Sequence, residues 1–241
     1  MNHNFNIVAF GENVALLQCR EEISLEMLEW LYSVDELLNS ERKNYIRETV
    51  VTYNELAVVY NCLAYSFEEI KEVLEEIATR TKASSQQWEY REIRVPVCYD
   101  KRFALDNKKL EEETGLEFES IVALHAGKQY IVYMMGFLPG FLYLGELDEH
   151  LWCKRLSNPR KSVPKGSVGI AGKQTGIYPT ESPGGWNLIG RTPIDLISIK
   201  GDRLSFFKPL DRITFFPISK KQFDDFDAAE YLNGIFLKYG I

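Results

Sequence analysis

The chain has 241 residues, a formal net charge of −7, a pI near 5.2, 45% apolar residues and 13% aromatic residues. That length implies one large or two modest domains, the composition supports a real core, and the acidic balance argues against general nucleic-acid binding. The start, Met1-Asn-His-Asn-Phe-Asn, lacks the basic-then-apolar order of a signal peptide, and no stretch approaches the roughly 20 apolar residues of a membrane span, so no membrane partner and a cytoplasmic location are expected.

Phe5 to Gly11 and Asn13 to Cys19 read as strands around a turn at Gly11. Ser24 is placed to cap a helix whose apolar positions run from Leu25 to Leu38 at helical spacing. Tyr45 to Tyr53 and Glu55 to Tyr60 are rich in β-branched and aromatic residues, as strands are. Ser66 and Glu69 match a capping box, and Phe67, Ile70, Val73, Leu74 and Ile77 give the following helix one apolar face. This order predicts a small α/β sandwich over residues 1–85, ending in the polar stretch Thr81 to Gln87.

From residue 86 to 241 the pattern changes to many short strands closed by tight turns, which predicts a β-barrel and an α+β class for the whole chain. Trp88 to Tyr99 alternates like a strand, and Pro96 assigns it to an edge or a bulge. Asp106 is placed to cap a short helix, with Leu105 and Leu110 as a hydrophobic staple and Gly115 at its end. Glu117 to His125 reads as a second short helix closed by Gly127, and Gln129 to Met135 as a strand. Ile194 to Lys200, Arg203 to Phe207 and Arg212 to Pro217 follow as strands, then a helical tail from Lys220 to Leu237.

Between these lies Gly136 to Pro193, which holds 10 of the 16 glycines and 6 of the 9 prolines. No helix survives that density, and the interleaved Phe137, Phe141, Tyr143, Val168, Ile170, Trp186 and Leu188 call for burial rather than a linker. From Lys154 to Arg191 the segment carries seven basic residues and one acidic, Glu181, so it suits a small anion or an acidic partner. Solvated loop charges are the plainer account of the same composition.

Gly166 to Lys173 is a near miss of a nucleotide-binding phosphate loop. One residue too many separates the glycines, and Gln174 stands where Ser or Thr would hold magnesium. Backbone amides around Gly166, Ser167, Gly169 and Gly172 could still cradle an anion. His125 has the chemistry of a general base but also that of a helix C-terminal residue. Arg160 and Arg191 offer forks for a carboxylate or phosphate, or for loop carbonyls. Cys19, Cys62, Cys98 and Cys153 are scattered and there are three histidines, so neither a disulfide framework nor a metal site is expected.

The runs Gly136-Phe-Leu-Pro-Gly-Phe-Leu-Tyr-Leu144, Val163-Pro-Lys-Gly-Ser-Val-Gly-Ile-Ala-Gly172, Gln174-Thr-Gly-Ile-Tyr-Pro179 and Ser182-Pro-Gly-Gly-Trp-Asn-Leu-Ile-Gly-Arg-Thr-Pro193 resemble the 5-oxoprolinase B-subunit family, also called allophanate hydrolase subunit 1. Weaker similarity extends over the rest of the chain. The resemblance implies that the barrel is cyclophilin-like. It implies a component of a hydrolase, inactive alone, that opens 5-oxo-L-proline to L-glutamate with ATP, shared with its C-type partner, and with an A-type subunit. The substrate is a small anion. By position it puts His125, Arg160, Lys165, Gln174, Tyr178 and Arg191 in or near one basic cleft, beside the amides of Gly166, Ser167, Gly169 and Gly172. Relatives also imply two alternatives: an inhibitor of a sensor histidine kinase, and the carboxyltransferase part of a urea carboxylase. The latter ranks last, because the chain has no Met-Lys-Met biotin site.

Overall fold

A computed structural model describes residues 3–81, 90–200 and 203–240. The chain divides into two compact units, Met1–Glu89 and Tyr90–Ile241. Beyond Thr81, the polar stretch read as a boundary lies outside the described residues.

The first unit comprises β1 (Phe5–Phe10), β2 (Val14–Cys19), α1 (Leu25–Glu41), β3 (Ile46–Val51), β4 (Glu55–Tyr60) and α2 (Phe67–Arg80). Its sheet is antiparallel in the order β1-β2-β4-β3. Ala15, Leu17 and Cys19 on β2 and Leu56, Val58 and Tyr60 on β4 are buried, while the residues between them are half-exposed. This two-residue period turns one face of the sheet towards Trp30, Leu31, Val34, Ile70, Leu74 and Ile77 of the helices. Both helices start where the caps predict. The Ser24 hydroxyl accepts from the Met27 N–H, and Ser66 with Glu69 forms both bonds of the capping box.

The second unit runs β5 (Glu92–Val97), α3 (Asn107–Thr114), α4 (Phe118–Ala126), β6 (Gln129–Met135), β7 (Leu142–Gly145), β8 (Arg160–Val163), β9 (Ser167–Ala171), β10 (Gln174–Ile177), β11 (Ser182–Gly184), β12 (Asn187–Arg191), β13 (Ile197–Lys200), β14 (Arg203–Ser205), β15 (Arg212–Pro217), α5 (Lys220–Asp224) and α6 (Ala228–Tyr239). Seven of these strands form one curled sheet, β12-β9-β10-β7-β6-β15-β5. The β15–β5 pair is parallel and the other pairs in it are antiparallel. The two edges meet: the Cys98 N–H donates to Arg191 O at 2.8 Å and the Arg191 N–H to Cys98 O at 3.0 Å. Of the two places open to the Pro96 strand, an edge or a bulge, the structure has the edge.

Ile93, Val95, Tyr130, Val132, Leu142, Leu144, Val168, Ile170, Ile177, Ile213 and Phe215 fill the inside of the curl. A separate apolar cluster of Phe141, Val163, Ala171, Tyr178, Trp186 and Leu188 occupies the opposite face. The strand alternation explains the split, since Leu142 and Leu144 point in while Tyr143 points out.

Two sequence expectations fail in detail. Asp106 precedes α3 but makes no cap hydrogen bond, and Leu105 is half-exposed rather than stapled. The Asp106 carboxylate is drawn instead to Arg160 and the Leu188 N–H. The helical tail is two helices, broken at Asp225 to Asp227, where Asp227 caps α6.

Candidate functional site

The outer face of the sheet carries a dent. Gly169 on β9 and Gly176 on β10 are directly opposite each other in the register. A Cβ on Gly169 would sit 3.0 Å from Trp186 Cβ, and one on Gly176 would sit 2.9 Å from Trp186 Cζ3 and 2.7 Å from Leu142 O. Only glycine lets the indole lie this close to the backbone. Phe141 stands edge-on to Trp186 at 5.5 Å and to Tyr178 at 5.1 Å, and Tyr143 edge-on to Trp186 at 5.8 Å. Gly184 is needed on the same grounds, because a Cβ there would collide with the Tyr178 hydroxyl.

These rings wall a cavity of about 250 Å³, lined by Phe137, Phe141, Tyr143, Arg155, Pro159, Tyr178, Trp186 and the Pro183–Gly185 backbone. Arg155 is exposed at its edge, with its guanidinium carbon 6.0 Å from the Trp186 ring centroid and no hydrogen bond among the described residues. Burial raises the pKa of the Tyr178 hydroxyl, opposed by the Trp186 backbone N–H and by the charges of Arg155 and Arg160. The phenol therefore keeps its proton and offers it as a donor. The arrangement is a largely aromatic cavity with one cation at its edge and two tyrosines, Tyr143 and Tyr178, among its lining. It suits a small planar molecule with a carboxylate at one end and a carbonyl at the other.

Of the residues expected in one cleft, Tyr178 alone lines this cavity. Arg160 lies on β8, and its Nη2 donates to Asp106 Oδ1 at 2.7 Å; its Nη1 is buried with no partner among the described residues. Lys165 pairs with Asp195 at 2.6 Å, and Arg191 donates through Nε to Lys165 O at 2.7 Å. Both line a second cavity of about 300 Å³ with Gly166, Phe223 and Phe226. Gln174 opens β10 opposite Ala171 at the β9–β10 turn and lines neither cavity.

His125 is the clearest correction. It is fully buried in the core, stacked on Phe215 at 4.6 Å, and not in a cleft at all. Its Nε2 is 2.9 Å from Thr175 Oγ1, and its Nδ1 is 2.8 Å from the Tyr99 hydroxyl. The Thr175 hydroxyl spends its one proton on Gly169 O, so it accepts from Nε2–H, and Nδ1 accepts from Tyr99. The imidazole is held neutral, with its pKa pushed down to about 3 by burial. It cannot act as a general base on an external substrate.

The amide cradle is also absent. Ser167, Gly169 and their neighbours form β9, whose backbone pairs with β10 on one side and β12 on the other. Gly166 and Gly172 are turn residues at its ends, at φ +80° and +59°. A loop can turn successive N–H groups to one ligand, whereas a strand alternates them between neighbours.

A larger hollow of about 560 Å³ lies between β5 and α6. It is a covering seam, because the Tyr231 and Tyr239 hydroxyls donate to Arg94 O and Glu92 O along that edge strand. The residues that sequence reasoning passed over are Arg155 and Tyr143. Arg155 stood within the basic run and Tyr143 within the Gly136–Gly145 segment, but neither had a motif of its own.

Residues 5–207 match the family model of the carboxyltransferase domain, subdomain C and D. Along 233 residues the chain is 30% identical to the 5-oxoprolinase B subunit of Bacillus subtilis, covering 92% of this chain and 97% of that one. The chain belongs to the 5-oxoprolinase B-subunit family. The Haemophilus influenzae member is 37% identical over 187 residues, 78% of this chain and 85% of its own. Among solved structures, TTHA0988 superposes on 86% of this B-subunit family member with a TM-score of 0.72 and 30% identity. This chain spans only 40% of the length of TTHA0988. The urea amidolyase of K. lactis matches 99% of this chain with a TM-score of 0.79 at 16% identity, a likeness of fold alone. No described helix is long and apolar enough to cross a membrane.

Proposed function

We propose that this chain is the B component of an ATP-dependent 5-oxoprolinase, which opens 5-oxo-L-proline to L-glutamate together with A-type and C-type subunits in the cytoplasm. The observation that carries this reading is the end-to-end similarity to the Bacillus subtilis relative, over 97% of that chain. The aromatic cavity supports it. 5-Oxo-L-proline is a flat five-membered lactam with one carboxylate. Its ring lies against Trp186 and Phe141, its carboxylate meets the exposed Arg155 guanidinium, and the Tyr178 hydroxyl donates to its amide carbonyl. Arg155 and Tyr178 bind and orient the lactam, and the apolar walls exclude water from it. ATP supplies the activation that a stable amide needs. Gly166, Ser167, Gly169 and Gly172 do not fit a triphosphate, since β9 consumes their surroundings, so this chain's part is to present the lactam. We read the curled sheet with its bridged edges as the cyclophilin-like barrel; that likeness is one of fold and brings no prolyl isomerase activity.

The test assembles the chain with its A-type and C-type partners, supplies 5-oxo-L-proline and ATP, and measures L-glutamate. Turnover that needs this chain, and that falls at least about tenfold in kcat/KM with Arg155→Ala, is the expected result. Glutamate formed equally well without the chain rejects the proposal, as does no glutamate with all three components present.

A further inference from the structure

Phe137 is held against two preferences at once. Its φ is +68°, a left-handed conformation that residues with a Cβ rarely adopt, and its ring is 62% exposed. Asparagine at this position would ease the backbone and suit the solvent. The one ring contact that Phe137 makes among the described residues is edge-on to Phe141, at the cavity. The loop itself is fixed from below: the Gly136 N–H donates to Phe141 O at 3.3 Å, the Phe141 N–H donates to Leu138 O at 3.0 Å, and Leu138 packs on the aromatic cluster. Those bonds over-determine the backbone and keep Phe137 in its unfavoured region. The result is positional. The ring stands at the cavity, edge-on to Phe141 at 5.7 Å and 90°.

We infer that Phe137 is a specificity-determining residue of the aromatic cavity, whose ring covers the outer face of the bound lactam. The inference rests on the substrate reading above and deepens it. An occupant of the cavity meets the Phe137 ring at the exposed side and the buried Trp186 and Phe141 rings at the wall. Such a cavity takes a flat cyclic amide whose one charge, the carboxylate, lies at Arg155. It disfavours the open-chain product, whose new carboxylate would lose its water against a phenyl face. Phe137 thereby separates substrate from product by charge and shape.

The test uses the assembled three-component enzyme with Phe137→Gly and Phe137→Asn, both of which tolerate the left-handed backbone. The KM for 5-oxo-L-proline is expected to rise about tenfold, equivalent to about 1.4 kcal/mol, with kcat falling less than about threefold. The ratio of the inhibition constant for L-glutamate to that KM is expected to shrink by a similar factor. The melting temperature of the chain is expected to rise by about 2–4 °C in Phe137→Gly, because the strain is gone. A stabilised variant that binds substrate worse cannot be explained by a packing role. Unchanged KM and unchanged product discrimination overturn the inference, and so does a lowered melting temperature alongside a raised KM. If the unsubstituted enzyme forms no glutamate from 5-oxo-L-proline, the substrate reading itself has failed, and the Phe137 inference falls with it.

Discussion

The buried imidazole of His125 makes acid lability a quantitative consequence of the fold. In the unfolded chain this group titrates near 6.5, and in the folded chain near 3. Between those values the unfolded chain binds a proton that the folded chain excludes. The stability held by the neutral form is therefore complete above about pH 6.5, and it is lost progressively as the pH falls towards 3. Each pH unit in that window removes about 1.4 kcal/mol, so from about pH 7 to about 4.5 the second unit loses about 2.5 kcal/mol through this residue alone. A domain holds only about 5–15 kcal/mol in total, so the effect is large. The comparison variant is His125→Gln, which breaks the Tyr99–His125–Thr175 chain but does not titrate. It should be less stable at neutral pH and flatter with pH. Hydrogen exchange of peptides from β9 and β10, which carry Gly169 and Thr175, reads the unfolding free energy of this unit at each pH. The range from about pH 7 to about pH 5 lies above the usual carboxylate titrations, so the difference in slope isolates the imidazole. Parallel curves for the two proteins would refute the neutral, enclosed state assigned to His125.

Three further outcomes can be checked directly. Asp106→Asn leaves the Arg160 guanidinium without its carboxylate in a mostly buried site, so unfolding in urea should show a loss of about 3 kcal/mol, partly recovered by adding Arg160→Met. Gly176→Ala forces a methyl to within 2.7 Å of Leu142 O and 2.9 Å of Trp186, so it should cost about 1–3 kcal/mol in urea unfolding and raise the KM for 5-oxo-L-proline by displacing the indole. A thiol reagent at about pH 8 should label Cys62 alone in the native chain and all four cysteines in denaturant. The reason is that Cys19, Cys98 and Cys153 are buried, with burial pushing Cys19 up to about 12 and Cys153 to about 11. Native labelling at two or more sites would contradict the packing around them.

What could be read from the chain beforehand was local. Ser24 and the Ser66–Glu69 pair fix helix starts by bonds that span three residues, and the alternation in β2 and β4 names the buried face without knowledge of the partner. Pro96 limits its strand to an edge or a bulge because it lacks an N–H, and the structure has the edge. The site failed where the deciding partner was distant in sequence. Asp106 has the residue type of a helix cap, but Arg160, 54 positions on, takes its carboxylate. His125 ends a helix, yet Thr175, 50 positions away, and Tyr99 enclose it. A basic, glycine-rich run looks the same whether its amides face a ligand or a neighbouring strand.

The glycines are where both scales meet. Their density excluded α-helix over Gly136 to Pro193, where the structure has short strands and a single 3-10 turn at Glu149–Leu151, and conformational freedom is the reason that composition suggests for it. At Gly169 and Gly176 the reason is instead absence of a side chain: the pair opposes across β9 and β10 and leaves a dent that only a ring laid on bare backbone can fill. Trp186 occupies part of that dent, Phe141 and Tyr143 stand around it, and the remaining volume is the cavity. The cations of the same run divide between two hollows, with Arg155 at the aromatic cavity and Lys165 and Arg191 at the other. Composition alone registers the basic charge; the fold decides which cation stands at the aromatic cavity.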